Sequence, residues 1–118
     1  METRILIVDD EPRWLDFAQH DLGKFKIIVA TSAEKALKEL EADQFDLVIA
    51  SSRYLNVLEV IAQKYSGKRV VVTTVQPTTQ EALQAYRLGA VRYFPKSFGP
   101  RDLFNRIWDV MTASAGAG

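Results

Sequence analysis

Residues 45–55 read FDLVIASSRYL. Leu47, Val48, Ile49 and Ala50 run apolar without alternation, and the run then breaks into Ser51, Ser52 and Arg53. A strand with one wet face alternates polar and apolar side chains, whereas a strand covered on both faces reads as a continuous apolar run. The stretch therefore predicts an interior strand of a parallel sheet, with polar groups placed at its C-terminal end.

The signature recurs along the chain. RILIV (4–8), KIIVA (26–30), DLVIA (46–50), RVVVT (69–73) and VRYF (91–94) are five short runs rich in branched apolar residues. Helix-like segments follow them. Pro12 to Leu22 gathers Trp14, Leu15, Phe17, Ala18 and Leu22 largely on one side. SAEKALKELEA opens on Ser32 as N-cap and turns Ala33, Ala36, Leu37 and Leu40 inward. Leu55 to Tyr65 carries Leu58, Ile61, Ala62 and Tyr65, and Thr78 to Leu88 ends at Gly89, a residue suited to a left-handed C-terminal cap. Pro100 to Met111 places proline at the first helical position and buries Leu103, Ile107 and Val110 or Met111. Strands alternating with helices give an α/β fold with a parallel sheet between helical layers. With right-handed crossovers, five strands favour the flavodoxin-like order 2-1-3-4-5. Ligands of such sheets bind beyond the carboxyl ends of the strands. Here those ends are Asp9-Asp10-Glu11, Thr31, Ser51-Ser52-Arg53, Thr74 and Lys96.

Composition narrows the function. The 118 residues suit one domain, read as residues 1–112, and 47% apolar with 25% charged residues is an ordinary soluble globular balance. Fifteen basic and fifteen acidic side chains cancel, so no global field recruits nucleic acid or an anionic membrane. The absence of cysteine excludes disulfides and thiolate metal sites and fits a reducing compartment. The chain enters a strand without a signal-peptide pattern and has no apolar run of membrane-spanning length, so a cytoplasmic location is expected. The small-residue tail at 113–118 reads as a flexible end or as the start of a linker to a C-terminal domain.

The turn after the first strand is DDEP (9–12). A flavin or nucleotide phosphate needs a glycine- or hydroxyl-rich turn here, offering backbone N–H groups. Three consecutive acids repel a phosphate, and Pro12 removes a donor. Two adjacent carboxylates instead make half of a magnesium site. The alternative is a solvated acidic first turn, favourable at a helix N-terminus. A DNA-binding module would show a basic stripe or a recognition helix, and neither is present. His20, the only histidine, reads as a solvent-side helix residue.

ILIVDDEP, VVVTT and GAVRYFPKSF occur in order, each ending a predicted strand or opening the following turn. Over about residues 3–111 the chain resembles the receiver domain of two-component response regulators. The resemblance implies an aspartate at the end of the third strand that accepts a phosphoryl group. It implies magnesium held by two acids after the first strand, here Asp9 and Asp10. It further implies a phosphoryl-contacting hydroxyl at Thr74, a pairing lysine at Lys96 and a switch aromatic at Tyr93. Three departures cluster at the site. Ser51 stands at the acceptor position, SRYLN enters the third helix through a shortened loop, and Ser97 replaces the usual proline after the lysine.

The expectation is an atypical receiver, or pseudo-receiver: a signal-transduction module that acts through protein–protein contacts without aspartyl phosphorylation, and is not an enzyme. One alternative is a receiver still regulated by phosphorylation or metal at the Asp9/Asp10 pocket, with weak autodephosphorylation. Another, of a different class, is a flavin- or nucleotide-binding domain. No cofactor is expected beyond weak Mg2+ at Asp9 and Asp10. The expected partner is a protein or a C-terminal output domain, with a homodimer through the helix 4–strand 5–helix 5 face as a further form. Tyr93, Phe104 and Trp108 are the candidate contacts on that face; Trp108 reads either as a cover for the helix edge or as an interface anchor. Neither nucleic acid nor membrane is expected as a partner of this domain. Arg53 is expected as a counter-ion for Asp9 and Asp10, against the alternative of an arginine in solvent, and the Lys96–Ser97 peptide is expected to be trans.

Overall fold

The structure, a computed structural model, describes residues 2–116, with side chains through residue 113. The elements in chain order are β1 (Arg4–Val8), α1 (Pro12–Asp21), β2 (Lys26–Ala30), α2 (Ala33–Ala42), β3 (Leu47–Ser51), a 3-10 turn (Ser52–Tyr54), α3 (Leu55–Lys64), β4 (Val70–Thr74), α4 (Thr79–Arg87), β5 (Arg92–Pro95) and α5 (Asp102–Gly116). The sheet is parallel, in the order β2-β1-β3-β4-β5. This is the flavodoxin-like arrangement that the sequence predicts.

Continuous apolar runs follow from covering both faces. Every residue of β3 and β4 is buried. Alternate side chains go to opposite cores. Leu6, Val8, Val48, Ala50, Val70 and Val72 pack with residues of α2, α3 and α4. Ile5, Ile7, Leu47, Ile49, Val71 and Phe94 pack with residues of α1 and α5, Trp14 and Ile107 among them. Each buried branched side chain stabilises the fold by about 1.5–3 kcal/mol relative to exposure.

Local chemistry sets several helix ends. Ser32 Oγ accepts the Lys35 N–H at 3.2 Å, and Thr78 Oγ1 accepts the Glu81 N–H at 3.1 Å. Caps of this kind contribute about 1 kcal/mol each. Gly89, at φ 100°, occupies the left-handed position that follows α4, where a side chain would strain the backbone.

Helix α5 differs from its prediction at both ends. It does not begin on Pro100: Arg101 has φ 69°, a left-handed conformation that breaks the helical path, so α5 starts at Asp102. Its free N–H groups are met from another helix. Asp21, at the end of α1, accepts the Arg101 N–H at 2.8 Å and the Phe104 N–H at 2.9 Å. A carboxylate there also suits the positive end of the helix dipole. At the other end α5 runs to Gly116 rather than stopping at Met111, because alanine, threonine and serine tolerate the helical path. The rest of the expected tail lies outside the described residues.

Candidate functional site at the carboxyl edge of the sheet

Register brings the strand ends together. Val8 pairs with Ala50, Ser51 with Thr73, and Thr74 with Pro95. Asp9 therefore follows β1 beside Ser51, while Thr74 and Lys96 close the same edge from β4 and β5. Four strands, β1, β3, β4 and β5, contribute short polar segments to one rim, and the hydrophobic cores behind them hold that rim in place.

Asp9 organises the acidic turn. It is fully buried. Its Oδ1 accepts the N–H groups of Asp10 at 2.8 Å and Glu11 at 3.1 Å. Its Oδ2 meets Lys96 Nζ at 2.9 Å, with the two side chains 1% and 4% exposed. Lys96 Nζ also lies 3.5 Å from Glu11 Oε2 and 5.7 Å from the centroid of the Trp14 ring. One ammonium thus serves two carboxylates and an aromatic face. A charge buried this deeply is tolerated only when paired and hydrogen-bonded.

Asp10 pairs with the guanidinium of Arg53. Both side chains are partly exposed. Arg53 pairs with the partly exposed Asp10 and not with Asp9, which is buried against Lys96. The short 3-10 turn explains the reach: Ser51 Oγ accepts the Arg53 N–H at 3.3 Å, folding the chain back over the end of β1. Beside it Ser52 Oγ donates to Thr74 Oγ1 at 3.2 Å. A cavity of about 300 Å³ opens between these groups, lined by Glu11, Ser51, Ser52, Arg53, Thr74 and Lys96, with Val75, Gln76 and Glu81 at its side. A larger open groove of about 530 Å³ lies at the other end of the sheet, around Asp46, Lys68 and Arg69, and contains none of these residues.

Tyr93 links the rim to α4. Its hydroxyl donates to Glu81 Oε1 at 2.6 Å and accepts the Thr78 N–H at 3.1 Å. Burial, and next the hydrogen bond to Glu81, push its phenol above the ordinary value. A raised phenol favours the folded state below the unfolded pKa of about 10, and that contribution is lost as pH rises through the folded value. Chemical denaturation across the alkaline range should therefore show stability declining above about pH 10, with Tyr93→Phe flattening that decline. Equal alkaline slopes for the two proteins would contradict the raised phenol of Tyr93.

The aromatic residues expected to share a face with Tyr93 are divided by α5. Phe104 is buried, stacked between Phe25 and Trp108 with centroids 5.9 Å away on each side. Phe25 precedes β2, at the far edge of the sheet from β5. Arg106 of α5 turns towards β5, with its guanidinium 4.8 Å from the Phe94 centroid. Phe104 and Trp108 thus belong to the α1 flank of α5, not to the α4–β5–α5 face. Their angular offset from Leu103 and Ile107 turns them one way, and Arg106 turns the other. Trp108 is 50% exposed and covers Phe104.

Two contributors escaped the sequence reading. Glu81 stands three residues after Thr78, a capping-box spacing, but nothing local points its carboxylate at Tyr93. Asp21 gave no signal, since the N–H groups that it accepts are far along the chain. The Lys96–Ser97 peptide is trans, and Ser97 Oγ donates to Asp102 Oδ2 at 2.6 Å.

Magnesium requires near-octahedral oxygen donors, usually including one or two free carboxylates. Here Asp9 and Asp10 each carry a side-chain cation, and a hydroxyl stands at Ser51. Among the described residues no group of three or more His, Cys, Asp or Glu side chains is arranged to hold a metal ion. The donor set in this arrangement does not fit a divalent cation.

A family model for the response regulator receiver domain matches residues 5–108. The heme response regulator HssR of Staphylococcus saprophyticus is 31% identical over 123 residues, covering 92% of this chain and 51% of HssR. The chain spans about half the length of the curated relatives it matches. Among solved structures, a receiver domain protein of Methanospirillum hungatei superposes with a TM-score of 0.88 at 23% identity, covering 100% of each chain. Response regulator TrrA of Thermotoga maritima, solved in complex with Mg(2+)-BeF, superposes with a TM-score of 0.80 at 27% identity, covering 92% of this chain and 98% of that one.

Proposed function

The chain belongs to the response regulator receiver domain family, and from that premise we propose that it is a pseudo-receiver: it transmits its signal through protein contacts without phosphorylation of an aspartate. The observation that carries this reading is Ser51 at the end of β3, 4% exposed, beside Asp9 and within reach of the Lys96 rim. An acyl phosphate forms only on a carboxylate nucleophile, and a serine hydroxyl needs a base to attack phosphorus. The nearby bases are engaged, Asp9 with Lys96 and two N–H groups, and Asp10 with Arg53. No hydrolytic cycle follows from such a pocket, so the reading is of a signalling domain rather than an enzyme. Magnesium has no role in it.

The output goes to a protein partner or to a further domain of the same protein, in keeping with the greater length of the relatives. The side of α4 and β5 is the contact surface in this reading. Tyr93 ties those elements together there, and Leu83, Tyr86 and Val91 stand exposed. A second copy of the chain is an alternative occupant. Among the described residues no helix is long and apolar enough to cross a membrane, and a cytoplasmic location goes with the reading. Flavin or nucleotide binding is disfavoured by the acids and Pro12 of the first turn.

Incubation with acetyl phosphate and magnesium, and separately with fluoroberyllate, tests the proposal, with TrrA as the positive control. Intact mass should show no hydroxylamine-labile phosphoryl adduct, and amide shifts around Ser51 and Thr74 should not move. An adduct of that lability would overturn the reading.

A further inference from the structure

Three consecutive acids at the end of β1 would repel one another without cations. The pocket supplies two of its own. Lys96 spans Asp9 and Glu11, and Arg53 holds Asp10. We propose that Arg53 is a resident cation, which with Lys96 takes the place of a divalent metal and keeps the acidic pocket closed to magnesium. The inference rests on the receiver reading of this pocket and adds how its charge is managed.

The geometry behind it is local. β3 ends at Ser51, and the 3-10 turn follows without an intervening loop. The Arg53 N–H bond to Ser51 Oγ fixes the turn, so the side chain starts next to the β1 end. Its guanidinium lies 6.0 Å from the Tyr54 centroid while pairing with Asp10, so its path lies beside an aromatic side chain. Ser51 is thus a positioning residue for Arg53. An aspartate in its place could accept the same N–H bond, so the turn survives Ser51→Asp. A guanidinium is always charged and fits a carboxylate in a planar fork, which makes it a durable neutralising group. A metal seeking Asp10 must displace it.

The pair is partly exposed, and exposed pairs contribute little to folding. Competition with a metal is therefore the informative measurement. Magnesium is titrated into the native chain, Arg53→Ala, Ser51→Asp and the double variant. The amide shifts of Asp9, Asp10 and Glu11 and the fluorescence of Trp14 beside Lys96 are followed. Removing Arg53 should tighten magnesium about fivefold, the ratio that corresponds to the upper range of an exposed ion pair. The effect is read in whichever background binds the ion measurably, and Ser51→Asp supplies a third carboxylate for that purpose. Equal affinity with and without Arg53 in both backgrounds, including no binding in any of the four proteins, overturns the inference. The phosphoryl assay above is separate: a native adduct removes the phosphorylation-independent reading, while an unchanged magnesium affinity removes only the role of Arg53. Thermal unfolding of Arg53→Ala should match that of the native chain, showing that any change in metal affinity is not a loss of fold.

Discussion

Lys96→Met should destabilise the protein by about 3–5 kcal/mol, the usual cost of removing one partner of a buried ion pair. The substitution keeps an unbranched chain against Trp14 and removes only the ammonium. Asp9 would then be left charged, fully buried and supported by two backbone N–H groups alone. Glu11 would lose its counter-charge as well. The loss compares with a total domain stability of roughly 5–15 kcal/mol. Asp9→Asn in the same chain should recover much of it, because a neutral amide can still accept the two N–H bonds without a buried charge. Urea denaturation of the four proteins in this cycle measures the coupling. If Lys96→Met cost less than about 1 kcal/mol, the pair would behave as a surface ion pair and the buried assignment would fail.

Trp14→Ala should have a comparable effect, about 3–5 kcal/mol, through a cavity rather than a charge. Trp14 is 1% exposed and joins Phe17 at 5.7 Å and Phe98 at 5.6 Å between centroids, with Lys96 above its ring. The truncation leaves these groups without a common wall. Trp14→Phe should cost much less. It keeps a ring in the cluster, and it removes an indole N–H that is buried without a hydrogen-bond partner among the described residues. The ordering of the two variants is the decisive result. If phenylalanine were as damaging as alanine, the indole N–H would be performing a task that the packing does not explain. Lys96→Met and Trp14→Ala should not add simply, since the two side chains touch.

The strand–helix alternation, the strand order, the carboxyl-edge site and the identities at Asp9, Asp10, Ser51, Thr74 and Lys96 were legible in the linear chain. The elements and the residues at their ends depend on periodicities of two and 3.6 residues and on the side chains that follow each apolar run, which are local properties, while the strand order follows from the right-handed crossover rule. The cap at Ser32 and the left-handed Gly89 were legible for the same reason, whereas the Thr78 cap emerged only from the structure. Tertiary structure decided the partnerships. Arg53 pairs with Asp10 and Lys96 with Asp9, a division of partners among residues from three different strand ends. Glu81 meets Tyr93 only because α4 returns over β5. Asp21 serves α5 only because α1 and α5 cover the same face of the sheet. Phe104 and Trp108 turn to the α1 flank because Leu103 and Ile107 fix the rotation of α5 on the sheet. A side chain's reach can be read from its own position, but its partner depends on which distant segments the buried strands bring to the same rim.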